Sequence, residues 1–202
     1  MTIVEGKEGL TIFDPLISTE TAKAALDLYF RHRPKKPVVA VVYTHSHVDH
    51  FGGVRGVVDE ADAISGKVKI IAPEGFLREA ISENVFAGNA MSRRTQYSYA
   101  VLLPRDPHGH ADQSIGKNVA SGNVGLIAPN LIIRKDFEEV TLDGVKIIRV
   151  PVAVRVSGIN QMIAIISTAP GHALTSREPP APGDRLNWLP QPRSFAYALL
   201  LL

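Results

Sequence analysis

Val38 to Tyr43 is an unbroken apolar run that passes directly into THSHVDHFGG. Led in by Pro37 and free of charge, it reads as a strand buried on both faces of a layered α/β structure. The strand delivers His45, His47, Asp49 and His50 to the point where it opens into a loop. Gly52 and Gly53 allow a tight backbone path there, before a helical segment that begins near Val54.

The flanking segments fit the same class. Met1 to Val4 and Leu10 to Phe13 are β-prone runs parted by Gly6 and Gly9, which predicts a hairpin. DPLIS, from Asp14 to Ser18, leaves the sheet. Thr19 or Ser18 can cap a helix from near Glu20, with Ala24, Ala25, Leu28 and Tyr29 at helical spacing, and RHRPKK ends it. Residues 54–63 predict a helix, Lys67 to Ala72 a strand, and Pro73 a helix start toward Ile81. Strand and helix therefore alternate around one polar cluster. VFAGNAMSRRTQYSYAVLLP is less regular, with paired arginines and aromatics that could face a pocket; Tyr97 and Tyr99 alternate with polar residues as on a channel wall or one side of a strand. Leu126 to Ile133 and Thr141 to Val150 are strand candidates, with a turn at Asp143 and Gly144. No fixed-period repeat is present, and GNVGLIAPN is too loose for a dinucleotide or phosphate loop.

The chemistry follows from residue type. The chain has no cysteine, which excludes disulfides, thiolate zinc sites and thiol nucleophiles. Imidazole and carboxylate remain, and both donate lone pairs to a borderline ion such as zinc. His45 and His47 could share one ion, while Asp49 and His50 turn toward a second. A pair of ions would lower the pKa of a bound water, orient it and stabilise charge on a leaving oxygen, so the reaction class is hydrolysis. The competing reading is a set of ordinary polar residues in a strand-end loop. With 22 basic against 20 acidic residues, no strong field for nucleic acid or a membrane surface exists. The opening MTIVEGKEG shows no secretory leader, so the cytoplasm is the default expectation.

THSHVDHFGG resembles the first metal-binding motif of the metallo-β-lactamase superfamily. The longer stretch VVAVVYTHSHVDHFGGVRGVV, taken with FAGNAMSRRTQYSYAVLLP, more closely resembles the alkyl sulfatases of that superfamily. The resemblance covers roughly residues 2–150. It implies a partial metallo-β-lactamase-like domain over residues 1–150, an incomplete αββα sandwich holding two zinc ions and cleaving long-chain alkyl sulfate esters. By that likeness His45 and His47 would ligate one zinc, and Asp49 and His50 the other, with Asp49 also the catalytic candidate. Asn89 and Arg93 would bind the sulfate: an arginine fork meets two of its oxygens and an asparagine amide a third. Arg94 packs outward or pairs with an acid. His108 and His110, followed by Asp112, read as a polar surface loop, because the matching part of the family supplies no principal ligand.

The likeness fades after LDGVKIIRVP, where composition also changes. Residues 151–202 hold four arginines, no lysine, only Glu178 and Asp184 as acids, and seven of the 14 prolines. They read as a divergent, proline-rich tail, poorly ordered, in a truncated or divergent copy of the family. The family completes its binuclear site with two glutamates and another histidine; Glu178 and His172 lie in no matching motif. The terminal ALLLL is too short to span a bilayer and favours aggregation or partner contact if unpacked, which leaves a homo-oligomer open. Two functional classes follow, an active zinc-dependent alkyl sulfate hydrolase or a catalytically impaired metal- or anion-binding fragment, with a purely structural fragment that needs a partner chain as the third possibility.

Overall fold

A computed structural model describes residues 1–109, 120–156 and 159–167 of the chain. Strands β1 (Thr2–Glu5) and β2 (Leu10–Phe13) form the expected antiparallel hairpin. Helix α1 (Thr19–His32) follows, then β3 (Val38–Val42), α2 (Glu60–Ile64), β4 (Lys69–Pro73), α3 (Phe76–Ile81), α4 (Gly88–Ser98) and β5 (Leu131–Ile133). The first sheet has the order β1-β2-β3-β4-β5, and β2 to β5 run parallel. A second, antiparallel sheet comprises β6 (Glu139–Leu142), β7 (Val145–Val156) and β8 (Ile159–Ser167).

The continuous apolar character of β3 has a direct cause. Alternate side chains point to opposite faces. Val41 and Tyr43 enter a core shared with Ala22 and Leu26 of α1, Ala63 of α2 and Phe76 and Ala80 of α3. Ala40 and Val42 enter a second core with Phe13, Ile71 and Ile133, closed from the other side by Val145 and Ile147 of the second sheet. Helices, sheet and sheet are therefore stacked in that order. These are three layers of the αββα sandwich within the described residues, which agrees with the expected, incomplete form of that fold.

The two sheets are tied at their ends by the Asp143–Gly144 turn, both residues of which have positive φ as a tight hairpin turn requires. Asp143 accepts backbone N–H bonds from Glu8 and Gly9, the latter at 2.7 Å, and so clamps the β1–β2 turn. Strand β7 runs through the compositional change at residue 150. His110, Asp112, His172, Glu178 and the proline-rich and ALLLL segments lie outside the described residues.

Several local expectations need correction. The buried face of α1 is Ala22 and Leu26, with Ala24 and Leu28 exposed; the true stripe is offset from the one read in sequence. Residues 54–63 are not one helix. A single 3₁₀ turn at Val54–Gly56 buries Val54, and the chain then bends to bury Val57 and Val58 before α2 starts at Glu60. Helix α3 begins at Phe76, after a left-handed Gly75, and not at Pro73. The stretch Leu126 to Ile133 is strand only from Leu131, because the Asn130 side chain bonds Ala63 O, Val68 O and Ile70 N. The stretch read as irregular is largely helical, as a π-helical turn at Ser82–Phe86 and then α4. None of α4 is buried, so it carries no apolar stripe to betray it. Tyr97 accordingly sits exposed on a helix and not on a strand. Among the described residues, no helix is long and apolar enough to cross a membrane.

Candidate metal centre

The carboxyl ends of parallel strands are where an open α/β sheet presents its loops, and β2 and β3 end side by side. Asp14 follows β2, and Thr44 and His45 follow β3. The loop turns through a 3₁₀ segment, Val48–His50, which brings His50 back beneath His45. Ring centroids lie 4.7 Å apart for His45 and His47 and 3.9 Å apart for His45 and His50. The double glycine is required by close packing: a Cβ on Gly52 would strike Ile17 O, and one on Gly53 would strike Pro15 O and Ser18 O. Tyr43 supports the loop from below, stacked on Phe76 at 4.9 Å and donating to Ile127 O.

A hydrogen-bond chain sets the imidazole tautomers. The Thr44 hydroxyl donates to Asp14 Oδ2 at 2.7 Å, which leaves its lone pairs to accept Nδ1–H of His45 at 3.0 Å. His45 Nε2 is then a bare lone pair, and it faces Nδ1 of His47 at 3.1 Å. Burial, reinforced by charge on His50 and His47, pushes His45 down to about 3, so its ring is a neutral donor. His50 behaves differently. Burial opposes its charge, yet Asp14 and Asp49 outweigh burial and raise it to about 9. Its Nδ1 lies 2.9 Å from Asp14 Oδ2 and its Nε2 lies 3.2 Å from Asp49 Oδ2. Neither contact has the alignment of a hydrogen bond, which leaves both buried nitrogens short of a partner. Burial raises the Asp49 carboxyl, but the contact with His50 prevails and holds it below the usual carboxylate range.

These atoms fit zinc in pairs. Tetrahedral zinc with bonds of about 2.0–2.1 Å to nitrogen sets two such ligands roughly 3.3 Å apart. His45 Nε2 with His47 Nδ1, at 3.1 Å, and His50 Nε2 with Asp49 Oδ2, at 3.2 Å, both approach that spacing. Among the described residues, no three histidine, cysteine, aspartate or glutamate side chains converge as a set that could hold one ion. Two donor pairs are present, and each needs further donors.

Asn89 and Arg93 lie one turn apart on α4, both exposed, and neither is hydrogen-bonded to the histidine loop among the described residues. His108 is placed in an exposed turn, its backbone N–H bonded to Asp106. The structure adds residues that sequence reasoning passed over: Asp14, Thr44, Ser46, Glu83 and Asn84. In the sequence Asp14 marks only the start of a segment leaving the sheet. Its signal was its position, at the carboxyl end of the strand paired with β3; its left-handed φ of 50 and that of Leu16 at 63 mark the strained backbone that functional loops often carry.

Comparison with known proteins gives the family of the chain. Residues 1–158 match the model of the metallo-β-lactamase superfamily. The chain is 65% identical over 144 residues to a linear primary-alkylsulfatase of Pseudomonas sp., covering 71% of this chain and 21% of that one. It is 56% identical over 145 residues to an alkyl/aryl-sulfatase of Saccharomyces cerevisiae, with 72% and 22% covered. The solved inverting sec-alkylsulfatase Pisa1 of Pseudomonas sp. superposes with a TM-score of 0.70 at 53% identity, over 74% of this chain and 24% of that one. The chain thus spans about a fifth of the length of these curated relatives. From its strand-end histidine loop to its stacked sheets, the chain belongs to the metallo-β-lactamase superfamily, with alkylsulfatases as its relatives there.

Proposed function

We propose that this chain is a zinc-dependent hydrolase that releases sulfate from alkyl sulfate esters by metal-activated water. The observation that carries the proposal is the pairing of His45 with His47 and of His50 with Asp49 in one loop at the end of a buried strand. The identity to alkylsulfatases supports the substrate class. His45 and His47 would hold one zinc, and Asp49 and His50 the other. Zinc, when bound, supplies a Lewis acid that acidifies water and neutralises charge on the leaving oxygen. The chain's own residues do the positioning. Asp14 and Thr44 keep the His45 proton on Nδ1 and so aim Nε2 outward, and the Asp14 carboxylate lies against His50. Asn89 and Arg93, on one face of α4, would receive the sulfate through two guanidinium donors and an amide.

Metal content of the purified chain, then sulfate release from a linear alkyl sulfate with and without added zinc, tests the proposal. His47→Ala is expected to lose metal and turnover together, and Arg93→Ala to raise KM. Full zinc occupancy in His47→Ala would overturn the ligand assignment. Because the described donors form only pairs, the impaired metal- or anion-binding alternative has its own signature: substoichiometric metal and no turnover at saturating zinc.

A further inference from the structure

We infer that Glu83 is a positioning residue for His47, reaching the metal loop from the π-helical turn between α3 and α4; the inference rests on the zinc reading above. The His47 ring has two ends. Nδ1 faces His45 Nε2 at 3.1 Å, the pair that fits an ion. The opposite nitrogen, Nε2, faces Glu83 Oε1 at 3.8 Å. Glu83 is therefore placed to address the nitrogen that an ion on Nδ1 leaves protonated. A carboxylate there fixes ring orientation and makes the ligating nitrogen more basic.

The carboxylate is itself held. Ser46, the residue between the two histidines, donates its hydroxyl to Glu83 Oε2 at 2.9 Å, and Oε1 is the oxygen that faces His47. The next residue, Asn84, donates its amide to Ser46 O at 3.2 Å and to Ala80 O at 2.8 Å. Two consecutive side chains of one turn thus grip the loop, one at the Ser46 and His47 side chains and one at the backbone. The turn that does this, Ser82–Phe86, is π-helical, a distortion that tends to mark functional positions. The Glu83 side chain is only 17% exposed, so solvent screens its field at His47 weakly. Surface ion pairing alone does not require a serine and an asparagine committed to the same loop. The same turn leads directly into α4, which carries Asn89 and Arg93. Glu83 therefore ties the orientation of a metal ligand to the segment proposed to meet the sulfate.

The test uses the full 202-residue chain and cobalt(II), whose visible absorption reports ligand geometry, in competition with a chromophoric chelator. Glu83→Gln keeps the side-chain shape and is expected to weaken cobalt affinity by roughly 10–100-fold, the range found when such outer partners are removed. Its chelator-treated far-UV circular dichroism and urea midpoint are expected to match wild type. Glu83→Asp, which restores the charge, is expected to recover part of the affinity. Equal cobalt affinity and an unchanged spectrum in Glu83→Gln would overturn the inference while leaving the zinc reading intact. An equal loss of chelator-treated stability in both variants, with no recovery of affinity by aspartate, would assign Glu83 to folding alone and also overturn it. A wild-type chain that binds no cobalt would instead overturn the zinc reading, and this inference with it.

Discussion

Asp14→Asn preserves the shape of a side chain while removing a charge that three groups depend on. Asp14 is 2% exposed, and its carboxylate accepts from Thr44 N at 2.9 Å and Thr44 Oγ1 at 2.7 Å and lies 2.9 Å from His50 Nδ1. A hydrogen bond to a charged group contributes about 1.5–3 kcal/mol. Asparagine has one acceptor oxygen, so it can keep one Thr44 bond while its amide donors confront the other donor or His50. The expected cost is about 3 kcal/mol, at the low end of the range for breaking a buried charge pair. For a chain of this size that corresponds to a fall in Tm of roughly 6–12 °C. Urea unfolding followed by circular dichroism in the presence of chelator measures it. Thr44→Val deletes the same hydroxyl bond from the other side, and the double variant is expected to cost less than the two single variants together. A loss under about 0.5 kcal/mol in Asp14→Asn, with strict additivity in the double variant, would refute the relay from Asp14 through Thr44 to His45.

The remaining expectations concern pH and packing. With chelator present, His50, raised to about 9, contributes stability that is complete below its unfolded value near 6.5 and is lost as pH climbs through 9. His45, lowered to about 3, works in the other direction and removes stability as pH falls below about 6.5. These two groups together therefore place a maximum near neutral pH, and urea midpoints that rose steadily from pH 5 to 9 would contradict it. Zinc binding is expected to release a proton from His50, which calorimetry in buffers of different ionisation enthalpy would detect. Gly53→Ala forces a Cβ onto Pro15 O, Ser18 O and Ala22, and is expected to cost about 1–3 kcal/mol and weaken zinc binding, whereas Gly88→Ala meets nothing and should be neutral or slightly stabilising by thermal melts.

How much of this was legible in the chain itself depends on the range of the interaction involved. The strand at Val38–Val42, the hairpin before it, the turn at Asp143–Gly144 and the imidazole and carboxylate cluster from His45 to His50 are local patterns, readable because side-chain alternation, left-handed turns and donor chemistry act over a few residues. Helix α4 was hidden because a helix that buries nothing leaves no apolar period. The offset face of α1 was hidden because Ala24 and Leu28 are as apolar as the residues that face the core. Amino-acid order alone thus determined which imidazole and carboxylate groups cluster and which strand presents them. Only the tertiary structure decided how those groups are aimed. Asp14 reaches Thr44 across 30 positions and Glu83 reaches Ser46 across 37, and such pairings exist only once parallel strands and a helical turn have packed side by side.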